Sequence, residues 1–147
     1  MPIATRRAET VWEGALAAGQ GTLRSQSGAL DGLEVTWAAR TERPDGQTSP
    51  EELAAAAHAS CFSMALALVL GQHKQRPEQL TVAATVTLEE VDGAPTVISS
   101  ELDVHGRVTD LQADQFDAAV TEAAKLCPIS RLFAGAKVSV RSQLVTD

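Results

Sequence analysis

The chain has no tyrosine, and only three phenylalanines and two tryptophans among its 147 residues. A core therefore has to be assembled mostly from alanine, leucine and valine, whose small side chains let backbones pack closely. Such a core is often finished by a partner subunit. Basic residues are scarce as well: 12 Lys and Arg stand against 19 Asp and Glu, giving a net charge of -7 and an isoelectric point near 4.9. Neutralising phosphates takes clustered cations, and here they are scattered, which argues against nucleic acid as a partner.

Long apolar runs are missing too. The longest, residues 59–70, is interrupted by Ser60 and Ser63 and is shorter than the roughly 20 residues that cross a ~30 Å bilayer. The N-terminal MPIATRRAETVWEG carries two arginines with no apolar run behind them, so it reads as neither a secretory signal nor an anchor. A soluble, cytoplasmic protein with no membrane partner is expected. There are two cysteines, Cys61 and Cys127. In a chain without an export signal they do not read as a structural staple, and their spacing fits no zinc template. No metal or cofactor is expected, and what remains is a pair of inert core thiols or a redox pair.

At this length, with 44% hydrophobic residues, one compact unit over residues 1–147 is the working expectation. Residues 8–14, 21–27 and 33–39 carry β-formers between glycine-bearing turns and predict three antiparallel strands. The segment RTERPDGQTS follows as a polar loop. Ser49, Pro50 and Glu52 then spell a capping box with proline in the first turn, and Glu51 and Glu52 suit the positive helix end. The pattern that follows, to Leu70, is apolar nearly all round, as in a helix wrapped by other elements. Residues 80–91 and 96–107 alternate and predict a long hairpin turned at Asp92-Gly93-Ala94-Pro95. A second helix over 111–126 ends before Pro128, and a last strand runs over 137–145. The order is β-β-β-α-β-β-α-β: an α+β protein with a mainly antiparallel sheet curled around helices.

Cys61 sits mid-helix, sharing a face with Ala54, Ala57, His58, Ala65 and Leu68. The plain alternative is a small buried hydrophobe, as free cysteines often are. A reactive Cys61 has to be a thiolate, and a free thiol near pKa ~8.5 needs help to ionise. About twelve residues into the helix it lies beyond the reach of the helix dipole, so the help has to come from a cation on another segment. Arg24, Arg40, Arg43 and Arg131 are all open candidates. Glu51 is ten residues from Cys61, roughly 15 Å along a straight helix; the two serve one site only if the helix kinks or a second subunit lends its helix N-terminus. His58, at i−3 from Cys61, is weighed as a catalytic base or half a metal site, against the plainer reading of a packed, hydrogen-bonded histidine. His73 and His105 read as surface residues.

WEG at 12–14, GTLRSQSG at 21–28, SPEELAAAAHASCFSMALALVLG at 49–71 and KLCPIS at 125–130 together resemble the osmotically inducible protein C and organic hydroperoxide resistance family, closer to the first branch. The resemblance implies an intertwined homodimer in which two long central helices are wrapped by curled sheets. It also implies a thiol peroxidase with Cys61 as peroxidatic cysteine and Cys127 as resolving cysteine. Arg40 becomes the arginine that stabilises the thiolate, and Glu51 the carboxylate that holds it. Thr41 stands where the family usually has phenylalanine after the arginine, which leaves Arg43 as a rival. The implied substrate is a small organic hydroperoxide, taken against an apolar lining of Met64, Leu68 and Phe62 or Phe133, and the implied reductant is an external dithiol. Two other classes stand beside it: a binding protein for a small apolar ligand with bystander cysteines, and a hydrolase using Cys61 and His58.

Overall fold

The computed structural model describes residues 1–146. The chain divides into two compact units, Met1–Leu53 and the remainder from Ala54 onward.

In the first unit β1 (Ala8–Glu13), β2 (Gln20–Ser25) and β3 (Glu34–Val35) form an antiparallel sheet in that order. Trp12 and Gly21 face each other in the β1–β2 register. A side chain at Gly21 would meet Val35 Cγ2 at 2.6 Å and Thr10 Cγ2 at 2.9 Å, so only glycine lets these neighbours close over the strand. The strand predicted over 33–39 stops at Val35. Thr36 instead caps a short helix α1 (Trp37–Thr41), its Oγ1 accepting from the Ala39 N–H at 3.1 Å. The threonine offers the backbone an N-cap in place of a ladder, and this moves Arg40 from a loop into a helical last turn. The polar segment that follows is tied back by the Thr48 N–H donating to Glu34 O at 2.8 Å.

Helix α2 (Pro50–Gln72) begins as the sequence requires, with Ser49 Oγ accepting from the Glu52 N–H at 3.1 Å. The capping box is only half formed, because the Glu52 carboxylate accepts from Thr48 Oγ1 at 2.6 Å. With 23 residues, α2 is long and apolar enough to cross a bilayer by length and composition, contrary to the reading based on residues 59–70 alone. The alanines at 54–57 lengthen the apolar stretch beyond those residues.

The second unit holds the rest of α2, the hairpin β4 (Pro77–Val91) and β5 (Ala94–Val108), α3 (Ala113–Leu126), α4 (Pro128–Leu132) and β6 (Lys137–Leu144). The hairpin turns on two residues rather than four, Asp92 and Gly93, both at positive φ (52° and 80°), which matches the strand twist. Its register shifts twice, at Pro77/Gln79 and at Thr87/Leu88. β6 pairs with β5 in parallel, from Ser99↔Lys137 to Gly106↔Leu144, so β5, α3, α4 and β6 make one crossover in an otherwise antiparallel sheet. Nothing in the sequence pattern marks this crossover, since periodicity fixes an element but not its direction.

From β5 the side chains of Ser100, Leu102, Val104 and Val108 are buried, every second residue. Leu102, Val104 and Val108 share a core with Phe62, Leu66 and Val69 of α2 and with Phe116, Val120 and Ala123 of α3. Each large apolar side chain fully buried this way contributes roughly 1.5–3 kcal/mol. Phe116 lies directly on Gly106, where a Cβ would come within 2.5 Å of the ring. Helix α2 is not wrapped all round within this unit. Its buried residues are His58, Phe62, Ala65, Leu66, Val69 and Leu70, while Met64 (72% exposed) and Leu68 (56%) face out. The face drawn for Cys61 from sequence is thus split: His58 and Ala65 are buried, Ala57 and Leu68 exposed, and Cys61 lies between.

Candidate active site

In the second unit, the pairing of α2 with the α3–α4 corner brings the two cysteines together. Pro128 ends α3 at Cys127 and opens α4, for which Cys127 is also the N-cap position. Proline is suited to the first turn of the new helix and unsuited to the last turn of the old one. This corner turns Cys127 fully inward, whereas Cys61 keeps partial solvent access. Both are free thiols, close enough for side-chain hydrogen bonding between them. Burial pushes the Cys61 thiol pKa up; a hydrogen bond from the Ile129 backbone N–H pulls it down, and the Cys127 thiol pushes it up again. Among the described residues of its own unit, none of the groups acting on Cys61 is a cation, so these surroundings by themselves favour the protonated thiol.

His58 occupies the turn of α2 before Cys61. It is fully buried, and both ring nitrogens are engaged: Nδ1 with Ser100 Oγ at 2.6 Å and Nε2 with Ser130 Oγ at 2.8 Å. Phe133 packs on the ring, centroid to centroid 5.2 Å. Burial lowers the pKa of this histidine. A neutral imidazole donates from one nitrogen and accepts at the other, and the two hydroxyls use up both. No nitrogen is left to serve Cys61 as a base, which removes the hydrolase arrangement, and the packed-histidine reading is the one the geometry supports.

Ser100 and Ser130 were not anticipated from the sequence. A signal existed for Ser100: it stands in phase with Leu102 and Val104 on the inward face of β5, where a hydroxyl demands a partner. For Ser130 there was none, because α4 itself was not predicted.

In the first unit Arg40 and Glu51 come together. Arg40 Nε donates to Glu51 Oε1 and Oε2, each at 3.0 Å, and Nη2 donates to Oε1 at 2.6 Å. Both side chains are largely shielded, at 28% and 13% exposure. The Arg40 guanidinium also lies 6.0 Å from the Trp37 ring centroid, a cation–π contact. These bonds use Nε and Nη2 and leave Nη1 outside the pair. Arg43, the rival, is exposed. An open pocket of about 350 Å³ adjoins Arg40, lined mainly by Trp12, Leu16, Leu23, Trp37, Pro50 and Leu53. The apolar lining expected from Phe62 is not available, since that ring is wholly in the core; Phe133 is half-buried and packs on His58.

A family profile described as OsmC-like protein matches residues 43–142, spanning the helix with Cys61, the corner with Cys127 and the strands between. The chain belongs to this OsmC-like family. Among curated relatives of the OsmC-like chain, the peroxiredoxin OsmC of Escherichia coli strain K12 is 35% identical over 127 residues, 86% of this chain and 88% of the relative. The organic hydroperoxide resistance protein-like 1 of Staphylococcus epidermidis is 35% identical over 96 residues, 64% of this chain and 68% of the relative. The crystal structure of the organic hydroperoxide resistance protein OhrB of Bacillus subtilis superposes with a TM-score of 0.71 at 25% identity, covering 98% of this chain and all of that one. The α+β fold implied by the motifs is thus the fold of the OsmC-like chain.

Proposed function

We propose that this chain is a cysteine-based peroxidase that reduces organic hydroperoxides, acting as a cytoplasmic homodimer in which each chain folds as one OsmC-like domain. The observation that carries the reading is the pair of free thiols at the α3–α4 corner, one reachable from solvent and one buried beside it. The names of the relatives, a peroxiredoxin and organic hydroperoxide resistance proteins, point the same way.

Unequal exposure supports the division of roles. Peroxide reaches Cys61, so Cys61 is the peroxidatic residue, and Cys127, at 0% exposure, is the resolving one. The Cys61 thiolate attacks the distal oxygen of the hydroperoxide, the O–O bond breaks, and the alkoxide takes a proton and leaves as alcohol. Cys61 is left as a sulfenic acid. The Cys127 thiolate then attacks that sulfur, hydroxide leaves and is protonated to water, and a disulfide forms. An external dithiol restores both thiols by exchange.

Because burial raises the Cys61 thiol, the reaction needs a cation that the second unit does not supply. Arg40 fills this role in the assembled dimer. Glu51 grips its Nε and Nη2 and leaves Nη1 for the thiolate and for the oxygen on which charge grows. The pocket beside Arg40 takes the apolar part of the hydroperoxide, which favours organic substrates over hydrogen peroxide by apolar burial. The exposed stripe of α2 with Met64 and Leu68 is the dimer face.

The test is turnover of cumene hydroperoxide with a dithiol reductant. Cys61→Ser should abolish it, and Cys127→Ser should allow one equivalent of peroxide to be consumed before stalling. Wild-type turnover in Cys61→Ser would refute the assignment.

A further inference from the structure

The proposed chemistry leaves His58 without a task, yet it is the most deeply placed titratable side chain of α2 and has no free nitrogen. Its two bonds run in different directions. Ser100 belongs to β5, in the middle of the sheet, and Ser130 belongs to α4. The imidazole therefore ties the first turn of α4 to the sheet through α2. Within three residues of Ser130, that same turn carries the Cys127 thiol and the Ile129 N–H that reaches the Cys61 sulfur. Helix α4 is only five residues long and none of its residues is fully buried; Ile129 alone of them packs, partly buried, against the core, so a single apolar anchor leaves the polar bond of Ser130 to fix the turn. Phe133, just after it, adds the one ring contact to the same histidine.

We infer that His58 and Ser130 are positioning residues for the resolving cysteine: their bond holds the start of α4 so that Cys127 stays against Cys61 and the two sulfurs join readily. This rests on the peroxidase reading for its biological meaning, though not for its test. A burial-lowered pKa keeps the imidazole neutral, the form that bonds one hydroxyl as donor and the other as acceptor. With the Ser130 bond gone, α4 is freed to wander, and the effective concentration of one thiol at the other falls.

The experiment equilibrates the full-length protein with mixtures of oxidised and reduced glutathione and measures the fraction with a Cys61–Cys127 disulfide by mass spectrometry. In this exchange one glutathione disulfide is reduced to two thiols as the protein's two thiols are oxidised, so no peroxide is needed. Ser130→Ala should lower the equilibrium constant for disulfide formation about tenfold, the equivalent of one hydrogen bond, and Ser130→Thr, which keeps the hydroxyl, should restore it. Ser100→Ala removes the histidine's other bond without releasing α4 directly and should shift the constant less, which separates positioning from general loss of stability. A constant for Ser130→Ala equal to or above the wild-type value, or equal shifts in Ser100→Ala and Ser130→Ala, overturns the inference. If the wild type equilibrates to the disulfide and Ser130→Ala shifts it as stated, the inference stands even where the protein ignores hydroperoxide, and only the peroxidase reading falls.

Discussion

Cys61 and Cys127 lie within hydrogen-bonding reach of each other as free thiols, although one stands on α2 and the other at the junction of α3 and α4, with the whole β4–β5 hairpin between them in sequence. The contact makes a disulfide feasible without rearranging the sheet, and it gives the two protons a mutual influence. Cys61 is pushed up first by burial, is eased by the Ile129 N–H, and is pushed up further by Cys127.

Removing Cys127 should therefore make Cys61 easier to ionise. In Cys127→Ala the pH midpoint for alkylation of Cys61 by iodoacetamide is expected to move down relative to wild type. An unchanged or higher midpoint would mean that the two thiols do not sense each other.

Arg40 and Glu51 should affect the first chemical step and leave the second alone. Arg40→Gln removes the charge and the donors at the developing oxyanion, a loss of about 10²–10³-fold in the rate of peroxide attack. Glu51→Gln keeps the arginine but loosens its aim, with a loss of up to about 10²-fold. Stopped-flow measurement of sulfenic acid formation checks both. Equal rates in Arg40→Gln and Arg43→Gln would move the role away from Arg40.

Acid stability should report His58. Its pKa is lowered on folding by burial, so below the ordinary value of 6.5 the unfolded chain takes up a proton that the folded chain refuses. Stability is complete above about 6.5 and declines as pH falls toward the folded value. Asp103, held below the usual carboxylate value by Arg141, adds its own loss only below about 3.8 on the same logic. Urea titrations between pH 7 and 5 should show the decline in wild type and a flatter profile in His58→Gln.

The exposed stripe of α2 predicts assembly. Met64→Glu combined with Leu68→Glu places two charges where each apolar side chain would gain roughly 1.5–3 kcal/mol on burial. Sedimentation velocity should show a dimer for wild type and a monomer for the double variant, and a wild-type monomer would remove the stripe as an interface.

Much of this was legible in the sequence, for identifiable reasons. Ser49, Pro50 and Glu52 announce the start of α2, and Pro128 fixes the end of α3, because caps and prolines act locally. The alternation through 80–107 gave the hairpin. What escaped depends on contacts distant in sequence. The parallel seat of β6 is decided by the crossover through α3 and α4, and Thr36 converts a run of β-formers into α1 through one side-chain bond. In the first unit, Arg40 and Glu51 were singled out through the resemblance to a known family, and the structure brings them together; in the second, the hydroxyls on His58 had no motif to mark them. The all-round apolar character of α2 suggested complete burial, but within its own unit one side of the helix stays exposed.

The most direct measurement is the intact mass of the reduced protein before and after one equivalent of cumene hydroperoxide, followed by peptide mapping. The account predicts the loss of two hydrogens per chain, one equivalent of alcohol, and a single new crosslink between Cys61 and Cys127. Two thiols still titrating in every chain, with the hydroperoxide intact, would contradict it and leave the pocket beside Arg40 as a binding site without redox chemistry.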